Sequence, residues 1–211
     1  MKPILFNTEM VKAILEGRKT VTRRVVKTKS KEACGFVVAK RVSDGAFMGV
    51  YDIDENELMA DNPQTPPYEV GDILYVRETW REFIRAIGTP TEYAYKADTD
   101  KRAVGLFKWK PSLFMPKEAA RLFLKVTDVR VEKLHNMELE DFIKEGIILS
   151  REDMKNHDTA LYKARELFKD LWNSTVSQPY TPERYANSYY RNPYVWVIEF
   201  EVITAEQAKG N

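Results

Sequence analysis

Short runs of period-two alternation recur along the chain, and the helical runs among them do not follow in regular order. A parallel, doubly wound sheet needs a helix after nearly every strand, and here no Gly-rich phosphate loop follows any strand-like run. The pattern predicts an α+β fold: a curled, mostly antiparallel sheet with helices packed at its ends.

The individual runs carry that reading. Pro3 to Phe6 reads as a short strand, after which Thr8 is a candidate N-cap for a helix with Met10, Val11, Ile14 and Leu15 on one face. Gly17 is its natural stop, and GRKTVTRRVV then alternates β-branched with polar residues, so the first polar cluster falls at a helix-to-strand junction. Cys34 to Arg41 and Ala46 to Ile53 read as two strands joined by a turn at Asp44-Gly45. Residues 54–68 are acidic, then Pro-rich, and are expected to form a surface loop. Further strands are predicted in ILYVRETW, from Tyr93 to Lys96 and from Arg121 to Val131. Two helices follow, one around Leu139, Phe142 and Ile143 ending at Gly146, and a longer one from Ala160 to Trp172. Ser177 to Tyr194, with three prolines and five tyrosines, has no periodicity and reads as a packed loop. VWVIEFEVI closes the fold with Trp196, Ile198, Phe200 and Val202 on one face. There is no internal repeat, so one domain over the 211 residues is expected.

Composition narrows the function classes. One cysteine, Cys34, excludes an internal disulfide, and with His135 and His157 alone beside it the chain lacks a structural zinc set; neither metal nor cofactor is expected. No stretch approaches the roughly 20 apolar residues of a membrane span, and the apolar run in MKPILFNTEM is too short for a signal peptide. A cytoplasmic protein with no membrane partner is expected. The formal net charge of +1 argues against coating nucleic acid by bulk electrostatics. Charge is nevertheless segregated: Met1 to Arg41 holds eleven Lys or Arg against three acids, whereas Val42 to Asp72 holds eight acids and no Lys or Arg. Solvated faces and a partner-binding surface both fit such runs.

The densest polar cluster is Arg18, Lys19, Thr20, Thr22, Arg23 and Arg24. Its cations can hold a phosphate or a polarised carbonyl, and its hydroxyls can donate or attack. A basic edge strand that discourages edge-to-edge pairing fits the same residues. In a straight strand Lys19 and Thr22 would point to opposite faces, so a shared site requires a break between Gly17 and Thr22.

GRKTVTRR resembles the signature of the ASCH domain, with Gly17, Lys19 and Arg24 in the motif positions. The resemblance continues through GDILYVRETW, YAYKAD, the run KWKPSLFMPKEAARLFLKVTDVRVEKL, EDFIKEGI, FKDLWNS and NPYVWVIEFE, leaving Lys29 to Pro67 and Ser177 to Asn192 as insertions. The surrounding text is similar to ASCH proteins of bacteriophages and prophages. The resemblance implies a PUA-like barrel whose cationic cleft recognises RNA or a modified nucleoside. One branch of the family hydrolyses the amide of acetylated cytidine with a lysine, a threonine and a glutamate, which fall on Lys19, Thr22 and Glu145. In that chemistry Lys19 would accept the proton of Thr22, Glu145 would orient the lysine or protonate the leaving amine, and Arg24 would stabilise the oxyanion. A further branch cleaves RNA, for which a Lys, Arg and Thr cluster could stabilise a phosphorane. Arg18 and Arg23 complete the expected ligand-binding cations.

Arg77, Glu78 and Trp80 in VRETW form a second candidate group, because Glu78 and Trp80 on one strand face offer an acceptor and a stacking ring. A cross-strand ion pair and a core tryptophan fit them as well. Lys108, Trp109 and Lys110 form a basic-aromatic run that could track a nucleic-acid backbone.

Overall fold

The computed structural model describes residues 1–27, 35–43, 45, 47–54, 57–83, 91–100, 103–175 and 187–210. In chain order the first elements are β1 (Lys2–Leu5), α1 (Thr8–Leu15), β2 (Val21–Val25), β3 (Gly35–Lys40), β4 (Phe47–Asp54) and β5 (Glu57–Gln64). Then come β6 (Ile73–Arg77), β7 (Trp80–Phe83), β8 (Glu92–Tyr95), β9 (Phe123–Lys133), α2 (Leu139–Lys144), α3 (His157–Thr175), β10 (Tyr194–Ile203) and α4 (Ala205–Lys209).

The fold is α+β. Its main sheet has five strands in the order β1-β6-β9-β10-β2, and β1 against β6 is its parallel pair. The other contacts in this sheet are antiparallel, so it is mixed, with β1 and β2 as its two edges among the described residues. Strands β3, β4 and β5 form a second sheet, and β7 with β8 a third.

Strand β10 is buried on both sides, which a single apolar face did not predict. Trp196, Ile198 and Phe200 join the core beneath α1, while Val195 and Val197 pack with Phe142, Phe168 and Trp172 of α2 and α3. A register shift between Glu199 and Phe200 ends the regular alternation, and Val202 is exposed. Burial on both faces demands the near-continuous apolar run that VWVI provides.

Some expectations shift by a residue and some change kind. Asn7, not Thr8, caps α1, its side chain accepting from the Met10 N–H at 2.9 Å. Part of the loop expected over 54–68 is instead β5, which pairs with β4 from Val50↔Gln64 to Asp54↔Glu57. Pro63 is tolerated there because β5 is the outer strand of its sheet. The ring of Phe36 on β3 meets Tyr194 on β10 at 5.5 Å, fixing this second sheet to the core. Helix α4 was missed, although Thr204 and Gln207 form a capping box visible in TAEQ. ILYVRETW breaks at Glu78-Thr79 into β6 and β7 rather than running as one strand. The Asp44 of the expected turn, Cys34 and residues 177–186 of the Tyr- and Pro-rich stretch lie outside the described residues. Among the described residues no helix is long and apolar enough to cross a membrane.

Candidate functional site

The site is built where α1 hands the chain to the edge strand β2. Gly17 adopts φ +74°, which a residue without Cβ accepts freely, and the N–H groups of Arg18 and Lys19 then both donate to the Ala13 carbonyl. Lys19 forms an isolated bridge with Glu145 just past α2, and regular pairing of β2 with β10 starts only at Val21. The chain therefore breaks between Gly17 and Thr22, as a shared site requires.

Position at the sheet edge brings both faces of β2 to one place. Thr22 and Arg24 come from one face and Arg23 from the other, yet all three line a cleft along the outer rim, opposite Met10 of α1 and Phe168 and Trp172 of α3. Glu145 also lines it. The cleft measures about 20 Å³, room for about one water.

Behind the cleft lies a buried ion network. The Lys19 side chain is 0% exposed; its ammonium donates to the Glu145 carboxylate and, at 3.1 Å, to the Glu145 carbonyl. Arg23, equally buried, donates to Glu145 at 3.2 Å, Glu132 at 2.8 Å and Asp141 at 2.9 Å. Two cations thus face three carboxylates. Burial pushes the Lys19 pKa below its ordinary value, and Arg24 and Arg23 push the same way, outweighing the opposite pull of Glu145. Lys19 is thereby poised to lose its proton more readily than an exposed lysine.

The remaining signature residues divide. Arg18 donates to Glu16 at 2.7 Å and to the Gly146 carbonyl at 2.8 Å, tying the end of α1 to the chain after α2. Arg24 donates to the Leu5 carbonyl at 3.1 Å and stands 5.5 Å from the Phe6 ring centre. Among the described residues it has no carboxylate in ion-pairing contact, unlike Arg18, Lys19 and Arg23. The hydroxyl of Thr22, a residue only 1% exposed, makes no hydrogen bond among the described residues.

Gly146 sets how closely this loop approaches the signature. Its φ is +95°, and a Cβ there would sit 3.0 Å from the Ala13 Cβ and 3.3 Å from the Lys19 Cβ. Gly146→Ala is expected to cost about 2 to 3 kcal/mol through the left-handed backbone and the crowding together. Thermal unfolding of the variant beside the parent checks this; an unchanged midpoint would show that the loop shifts without penalty.

The second candidate group does not line the cleft. Glu78, 1% exposed, is held bidentately by Arg121 at 2.9 and 3.1 Å, and burial nevertheless keeps its pKa above the usual carboxylate range. Arg121 also pairs with Asp98 and stands 4.0 Å over the Tyr95 ring, joining β6 and β8 to the start of β9. Trp80 is a core residue against Met115 and Ala119. Arg77 donates to the Tyr75 hydroxyl and, at 3.3 Å, to the Leu113 carbonyl.

Sequence reasoning missed Glu132 and Asp141 as partners of Arg23. The signal for Asp141 was its place three residues after Glu138, where it completes a capping box whose other oxygen remains free to face β2. Among the described residues no group of His, Cys, Asp and Glu is arranged to hold a metal ion. Compared with family models, curated proteins and solved structures, the chain matches none.

Proposed function

We propose that the chain is an ASCH-type protein with a PUA-like curled barrel, and that its β2 cleft hydrolyses the amide of a small N-acylated nucleoside such as acetylated cytidine. The observation that carries this reading is the buried Lys19–Glu145 pair set behind a cleft lined by Thr22, whose hydroxyl has no hydrogen-bond partner among the described residues. Thr22 Oγ1 attacks the acyl carbon, and its proton passes to neutral Lys19, which Glu145 holds in place. Arg24, free of a carboxylate partner, offers its charge to the oxyanion. As the C–N bond breaks, the Lys19 ammonium returns the proton to the leaving amine. Water then cleaves the acyl ester, releasing the acid and restoring Thr22.

Recognition of RNA or another polyanion by the signature draws less support. Arg18, Lys19 and Arg23 already face carboxylates of the same chain, so little of their charge is left for phosphate.

Acetylated cytidine incubated with the protein is expected to yield cytidine and acetate, and Lys19→Met is expected to yield neither. The pH profile of kcat/KM should rise on an alkaline limb below 10.5, the ordinary lysine value. Glu145→Gln removes the carboxylate that raises the Lys19 pKa, so the limb of its residual activity should move to lower pH. Turnover unaffected by Lys19→Met, or a limb that stays in place in Glu145→Gln, would sink the assignment.

A further inference from the structure

The charge that the signature neutralises internally reappears, unneutralised, on another part of the molecule. Among the described residues Arg77, Arg81, Lys108 and Lys117 have no carboxylate within ion-pairing distance, and each is exposed or half-buried. Aromatic rings lie among them. The Arg81 guanidinium stands 4.1 Å over Phe107 and 5.6 Å from Phe83. Arg77 and Lys117 flank the Tyr75 ring at 5.5 and 5.9 Å. The same stretch of chain exposes the Phe107 ring at 39% and the Phe114 ring at 69%.

The segment is held in place from beneath. Trp80 and Lys110 exchange backbone hydrogen bonds at 3.2 and 2.8 Å, Trp109 Nε1 donates to the Val104 carbonyl at 2.9 Å, and Arg77 reaches the Leu113 carbonyl. Cations and rings are thus displayed by a stapled loop, at low ordering cost to a ligand.

We propose that this surface docks a single-stranded nucleic acid, with Arg81, Lys108 and Lys117 meeting phosphates and Phe107 and Phe114 meeting bases. The occupant follows from charge and shape. A strand offers negative charge at intervals with flat π-faces between, which matches cations interleaved with rings. An anionic bilayer calls for a continuous amphipathic face, whereas this segment is broken into short 3₁₀ turns at Val104–Leu106, Ser112–Phe114 and Lys117–Ala119. Within β7 and residues 104–119 the acids are Glu82, which is paired with Lys110, and Glu118, against Arg81, Lys108 and Lys117 and the neighbouring Arg77. The inference does not depend on the hydrolytic reading of the β2 cleft.

Fluorescence anisotropy of a short labelled oligouridylate and oligothymidylate tests it on the full chain, with anionic vesicles as a parallel arm. The parent should bind the strands with an affinity that falls as salt rises, by roughly 0.7 in log–log slope per phosphate contact. Arg81→Gln/Lys108→Gln/Lys117→Gln should weaken binding at least about tenfold and flatten that slope. Phe114→Ala should weaken binding with the slope unchanged, since stacking releases no counterions. All variants should keep the parent's unfolding midpoint, and Thr22→Val should bind like the parent. Absence of strand binding at low salt, equal binding by the triple variant, or capture by vesicles alone would each overturn the proposal. Loss of hydrolysis in Lys19→Met alongside intact strand binding separates this inference from the cleft.

Discussion

Arg23→Met is expected to lower stability by about 3 kcal/mol, the low end of what breaking a buried ion pair costs. Methionine keeps much of the length and the apolar stem, so packing contributes little to the loss. The loss comes from the carboxylates left behind. Arg23 has no exposed side-chain surface and bonds to Glu132, Asp141 and Glu145 at once. Each has a remaining contact that softens the effect: Glu145 keeps Lys19, Asp141 keeps the Glu138 N–H, and Glu132 keeps Arg130 at 3.7 Å. For a chain of this length the midpoint should fall by roughly 6 to 12 °C.

That difference should depend on pH in a definite direction. Burial pushes the Asp141 carboxyl up, but the Glu138 N–H and the Arg23 guanidinium outweigh it and hold the pKa below the usual range. A depressed carboxyl stabilises the fold above its unfolded pKa and loses that contribution as pH falls through the folded value. The gap between parent and Arg23→Met should therefore be full near neutrality and narrow in acid, where Asp141 protonates in both. Scanning calorimetry across that range measures it. A gap that did not narrow in acid would mean that Arg23 acts through packing rather than through its carboxylates.

The sequence made the local parts of this site legible and its long-range parts illegible, for physical reasons. A glycine after an apolar helical stripe marks a turn by steric necessity, so the position of the signature at a helix-to-strand junction could be read directly. The short helix ending at Gly146 was equally readable from three apolar residues and a stop. What placed Arg23 beside Glu132 was the stacking of β2 on β10 and β10 on β9, in which Val197 stands across from both Arg23 and Arg130, two residues before Glu132. Register between strands more than a hundred residues apart leaves no local trace. The same holds for β2 as a sheet edge, the fact that lets Thr22, Arg23 and Arg24 share one cleft. Strand β5 was hidden for a different reason: Pro63 reads as a loop residue unless the strand is known to be an outer one.

Thr22→Val should abolish turnover of acetylated cytidine, by about a thousandfold or more, while leaving the fold in place. The exchange is isosteric at a residue that is 1% exposed, and it removes a hydroxyl with no hydrogen-bond partner among the described residues. Stability should therefore hold, because the exchange keeps the side chain's shape and breaks no hydrogen bond among the described residues. Thr22→Ser keeps the nucleophile and sacrifices only the methyl that restricts its rotamer, so activity should survive within about a hundredfold. The pair of variants tests chemistry rather than shape. Intact-mass analysis under rapid mixing adds the decisive readout: an acetyl group carried by the parent and by Thr22→Ser, but not by Thr22→Val. Valine that turned over substrate at the parental rate would remove Thr22 from the chemistry and leave water, activated by the Lys19–Glu145 pair, as the attacking group.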